Sequence, residues 1–264
     1  MKAKDAFDSA IARAGHFLTL YDLLCDTRKR GARKDWGTQF KKCMRWPQEE
    51  NIVRIDGKER QSILVLREAL GIERKRFAHD YLSELLRAAI VATVSALDRY
   101  MHDIVVGRSW TLLNAPEDDV PRELRRVMIP VLESKKALDR LRKDRKARPG
   151  NVIKQAIQKV LHRELTFQKP DDIKKGADMI GIQDFWGSVA SKMNGPPQKE
   201  EVIDTLRKIT ARRNEIVHEA DLVRKIKAKK LTLQAIDRDE AAESIDWMKE
   251  FVRAVDQVII SHLP

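Results

Sequence analysis

Glycine and proline are sparse in this chain of 264 residues, 11 and 9 respectively, so few breaks interrupt its regular structure. Aromatics make up only 6% of the residues, and runs of β-branched residues are scarce, which speaks against a β-sandwich. Two cysteines, Cys25 and Cys43, form no CxxC pair and no metal-ligand spacing. Free thiols in a reducing cytosol are the expectation, with no metal site. The longest apolar run, AAIVATVSAL at 88–97, is half of what a bilayer crossing needs. The opening MKAKDAFDSA lacks the apolar centre of a signal peptide. A cytoplasmic protein without membrane contact is expected. No Gly-rich phosphate loop is present, which removes support for P-loop and dinucleotide-binding functions, and no cofactor is implied.

Charge is what the chain has in abundance. Charged residues reach 35%, and the formal net charge is +12. Such a balance favours a polyanionic partner, nucleic acid or an anionic surface. Three runs concentrate the positive charge: RKRGARK (28–34), RLRKDRKAR (140–148) and RKIKAKK (224–230). Runs of this kind are most often solvated faces. No aromatic pattern of the sort that stacks on bases accompanies them. Trp36, Trp46, Trp110, Trp186 and Trp247 are scattered and suit packing.

Hydrophobic periodicity predicts an all-α antiparallel bundle. A helix covers 4–26, with Phe7, Ile11, Ala14, Leu18 and Tyr21 on one face. Residues 38–56 look irregular around Trp46-Pro47, and 57–72 is a short helix or, at 63–66, equally a strand. From Glu73 to about Val106 the sequence is apolar almost all round, the mark of a buried central helix. Further helices are expected over 121–147 and 151–166, and from Pro170 onward. Asn194-Gly195-Pro196-Pro197 then breaks the chain before two last helices at 198–220 and 238–262. The division implied is an N-terminal helical extension with a basic loop, 1–72, ahead of a helical domain, 73–264. Helices at about 115–195 would be an insertion or a lid.

The stretch ARRNEIVHEAD (211–221) carries the chemistry. Positions four apart on a helix lie about 40° apart, so Asn214 and His218 share a face, with the long side chain of Arg213 able to swing towards it. An imidazole can take or give a proton near neutrality. A guanidinium matches phosphate oxygens and stabilises charge gained in a transition state. Asn can donate to the phosphate or fix the ring. These groups suit cleavage of an RNA phosphodiester without a metal. Spacing alone is weak evidence, because Arg, four to six residues, then His arises by chance in a chain this basic. RKRFAH (74–79) is a second instance. A solvated helix face is the plainer alternative for His218.

RRNEIVHEADLV resembles the motif helix of the HEPN family, small all-α domains that include many RNases of bacterial defence and toxin systems. RAAIVATVSALDRYMHDIV (87–105) resembles an earlier helix of the same family, and the branch most similar is RiboL-PSP-HEPN. RKRFAH lacks the polar pattern and begins a helix. The resemblance implies a metal-independent endoribonuclease whose two motifs meet across a homodimer in a composite cleft, with an antitoxin or another defence protein as a possible partner. Carried over, Arg213 and His218 are the catalytic pair and Asn214 is accessory. Asp98 is the acidic candidate for orienting them, and His102, one turn on, is a neighbour of Asp98. Arg212 also fits the spacing. Arg224, Lys225, Lys227, Lys229 and Lys230 would contact flanking RNA phosphates. The alternative is a helical nucleic-acid-binding or nucleotide-binding regulatory module without catalysis.

Overall fold

The structure is a computed structural model. It describes every residue except 1–2, 26–27, 31–32, 58–61, 72–73, 144–148, 219–220, 223–232 and 263–264. The centre of the fold is α3, His79–Leu112, 34 residues long. Leu86, Ala89, Ile90, Val94, Leu97, Tyr100, Met101 and Val105 are all buried along it. Apolar residues surround this helix because neighbours do. The long N-terminal helix α1 (Ala3–Leu24) packs along it more extensively than any other element. Phe7, Ala10, Ile11 and Ala14 of α1 enter the main core. Residues 3–24 therefore belong to the bundle itself.

Between α1 and α3 lies a small unit that the periodicity did not reveal. Strand β1 (Arg28–Arg30), helix α2 (Lys34–Cys43), strand β2 (Ile52–Asp56) and strand β3 (Ile63–Arg67) follow one another. The strands form an antiparallel sheet in the order β1-β2-β3, with Ile52 opposite Arg67 and Asp56 opposite Ile63. Residues 38–56, expected to be irregular, thus hold most of a helix and a strand. The ambiguous 63–66 stretch is a strand because β2 supplies its ladder. The fold class remains all-α, with this sheet as an appendage.

After α3 come α4 (Arg122–Arg125), α5 (Val131–Lys143), α6 (Pro149–Glu164), α7 (Pro170–Met179) and α8 (Phe185–Lys192). Pro170 opens α7 where its missing N–H costs nothing, and Asp171 and Asp172 favour the positive end of the helix dipole. Phe167, Ile173, Phe185, Trp186 and Val189 reach the main core, so this stretch is part of the packed body. Helices α9 (Lys199–His218) and α10 (Arg238–Ser261) complete the bundle close to their expected limits. Asp237 caps α10 by accepting from the Glu240 N–H at 2.8 Å. No helix among the described residues is long and apolar enough to cross a membrane.

Candidate active site at the end of helix α9

Helix α9 buries Val202, Leu206, Ile209 and Thr210. Arg213 stands four residues beyond Ile209, on the same stripe, and Ile216 continues it against a second apolar cluster that includes Tyr21, Leu86 and Ile236. Arg213 is consequently half-buried. Its Nη1 donates to Asn214 Oδ1 at 3.0 Å, and its buried Nε has no hydrogen-bond partner. No carboxylate pairs with it among the described residues. His218 is the last residue of α9 and is exposed.

Arg212 is placed quite differently. One residue is a 100° rotation, which turns it towards α10. Its Nη1 and Nη2 both donate to the Asp221 carboxylate, the latter at 3.2 Å, and its Nε donates to Glu240 at 3.0 Å. Burial opposes the charge on Arg212, but the bonds and charges of Asp221 and Glu240 outweigh that and hold its pKa above the usual arginine value. Asp221 is buried, and it also accepts from Arg87 Nε on α3. The end of α9 is thus tied to α3 and α10 by a buried Arg87–Asp221–Arg212 cluster.

Neither Asp221 nor Arg87 was singled out from the sequence. A signal for Arg87 existed: it stands in register with Ile90, Val94, Leu97 and Met101, all buried, and a cation at an apolar position demands a buried acid. Nothing local named Asp221 as that acid, 134 residues away.

Asp98 lies elsewhere. It is eleven residues beyond Arg87 on α3, about 16 Å along the axis. Its Oδ1 is 3.7 Å from His102 Nε2, too long for a hydrogen bond. His102 is buried, stacks on His162 with centroids 4.0 Å apart, and meets the Phe167 ring edge-on. Burial lowers the His102 pKa and the His162 charge lowers it further, partly opposed by Asp98, Asp103 and the Leu165 backbone. Within one protomer, no hydrogen bond or ion pair among the described residues joins Asp98 to Arg213 or His218. The alternative motif RKRFAH ends in His79, whose Nδ1 is 2.7 Å from the Tyr21 hydroxyl.

Arg224, Lys225, Lys227, Lys229 and Lys230 fall outside the described residues. A groove of about 490 Å³ lies between α9 and α10, but Asp237, Asp239, Glu240 and Glu243 line it and would repel phosphate. No three His, Cys, Asp or Glu side chains among the described residues converge as a metal site.

The model of one family, RiboL-PSP-HEPN, matches residues 66–261. The chain belongs to the RiboL-PSP-HEPN family. The match spans α3 to α10 and leaves out α1 and most of the small sheet unit. Comparison with curated proteins and with solved structures gave no match. Within this HEPN domain, the residues of ARRNEIVHEAD thus split into two groups. Arg213, Asn214 and His218 occupy the last two turns of α9, while Arg212 and Asp221 are engaged beneath it.

Proposed function

We propose that this HEPN protein is a metal-independent endoribonuclease, with Arg213, Asn214 and His218 as its reacting groups. The observation that carries this is the different fate of two adjacent arginines. Carboxylates already occupy Arg212, whereas Arg213 meets none among the described residues and lies within a turn and a half of an exposed imidazole. A guanidinium without an internal counter-ion is suited to bind a phosphate.

In the reaction proposed, His218 removes the proton of a ribose 2′-hydroxyl. The 2′-oxygen attacks the adjacent phosphorus as the bond from phosphorus to the 5′-oxygen breaks. Arg213 offsets the negative charge gathered on the non-bridging oxygens. Asn214 accepts from Arg213 through Oδ1, which leaves its amide N–H groups to donate to the phosphate. The departing 5′-oxygen takes a proton from an imidazolium, supplied in a homodimer by His218 of a second copy. The products are a 2′,3′-cyclic phosphate and a 5′-hydroxyl. Family membership supports a setting in bacterial defence or a toxin–antitoxin pair, with a neutralising protein as partner.

Incubation of the purified protein with single-stranded RNA in EDTA tests the proposal. Cleavage is expected, with His218→Ala and Arg213→Ala each lowering it about 100-fold or more. A requirement for magnesium, or full activity in His218→Ala, would overturn it.

A further inference from the structure

We infer that Asp221 is a positioning residue for the α9 site, a role that rests on the assignment of Arg213 and His218 above. Three observations converge on it. First, its backbone N–H donates to the Glu215 carbonyl at 3.0 Å, closing the chain around the segment that contains His218. Second, its carboxylate is gripped from both sides, by Arg87 of α3 and by Arg212 of α9. Third, its carbonyl accepts from the Gln234 N–H at 2.7 Å, while the Gln234 and Ala235 carbonyls accept from Arg87 Nη2 and Arg212 Nη2 at 2.7 and 3.2 Å. A Leu222–Leu233 bridge follows directly.

The backbone of Asp221 has φ 55°, the left-handed region that Asp and Asn enter more readily than other residues with a side chain. A helix end in solvent frays. Here the end of α9 is fastened to α3 through one buried carboxylate, only three residues past His218, and Arg212, which shares that carboxylate, carries the tie on to Glu240 of α10. A buried guanidinium, Arg87, and a half-buried one, Arg212, share that carboxylate. Without it they repel each other, and Arg212 becomes a competing cation one residue from Arg213. Such buried ion clusters seldom raise stability over an apolar alternative, and fixing a unique geometry is a use better suited to this one. The clamp orients the imidazole relative to Arg213 and touches no substrate itself.

Full-length Asp221→Asn tests this, since Asn keeps the shape and the left-handed preference and removes the charge. The expected result is a fall in kcat of about 100-fold with KM little changed, the pattern of misplaced reacting groups. Backbone amides of Ile216, Val217 and His218 should exchange with solvent faster, while those of Leu97 and Tyr100 in α3 keep their rates. Should Asp221→Asn fail to fold, Arg87→Lys takes its place. It keeps the buried cation but not the fork that reaches both Asp221 and Gln234, and the same two readouts apply. A folded variant with wild-type kcat and unchanged amide exchange overturns the inference. If the wild type cuts no RNA, or His218→Ala cuts it as well, the nuclease assignment fails instead. The exchange rates of Ile216 to His218 then still decide whether Asp221 holds this turn.

Discussion

Individual residues in this protein owe their roles to rotation about a helix axis as much as to chemical type. Arg212 and Arg213 have the same side chain and adjacent positions, yet the first is bound by acids and the second, among the described residues, only by Asn214. His102 shows the same dependence on place. Burial and the adjacent His162 push its pKa down, so the folded state binds fewer protons than the unfolded chain below the ordinary imidazole value of about 6.5. The sign follows: stability is fully present above that value and is lost as pH falls towards the depressed folded value. Melting temperature should therefore drop as the pH is lowered from 7.5 to 5, and His102→Gln should lessen the slope. An unchanged slope in that variant would assign the acid sensitivity to other groups.

At the level of elements, α3 and α10 are joined by a polar tie inside an apolar contact. The Tyr100 hydroxyl donates to Asp256 at 2.9 Å, and burial, then the Asp256 charge, raise its pKa well above the usual phenol value. Tyr100→Phe should cost about 1.5 kcal/mol, near the low end for a bond to a charged group, because half-exposed Asp256 can rehydrate. Urea denaturation measures it, and a neutral result would show the bond to be replaced by water without loss. The long helices were legible in the sequence, α9 and α10 almost to the residue, since each carries its own periodicity and stop signals. The sheet unit was not. Ile63–Arg67 becomes a strand only because Ile52–Asp56 pairs with it, and pairing has no local signature. Trp36 and Trp46 likewise looked scattered but form one cluster with Phe40, which stacks on Trp36 at 5.1 Å and meets Trp46 edge-on.

On the scale of the whole molecule, the family match starts at residue 66, but the core does not. Phe7 is 1% exposed and meets the Tyr100 ring edge-on at 5.8 Å. Phe7→Ala is expected to cost about 3–5 kcal/mol, as much as Phe251→Ala on α10. A chemical denaturation curve hardly shifted by Phe7→Ala would show instead that α1 is a dispensable addition. Charge is also unevenly distributed. Residues 28–71 hold twelve Lys and Arg against six Asp and Glu, half of the chain's net +12 in a sixth of its length. The appended unit thus carries a large positive excess in a protein whose proposed substrate is a polyanion.

The sequence by itself determined the helical class, the buried status of the central helix expected from Glu73 to about Val106, and the place of ARRNEIVHEAD towards the end of a helix expected over 198–220. These follow from the order of apolar and polar residues along contiguous stretches, and from motif letters lying within a few positions of one another. Only the tertiary structure decided which arginine is occupied, where Asp98 lies, and that Asp221 fastens the motif turn. A buried charge takes its partner from whatever is nearest in space, and for Asp221 that partner is Arg87, 134 residues earlier in the chain.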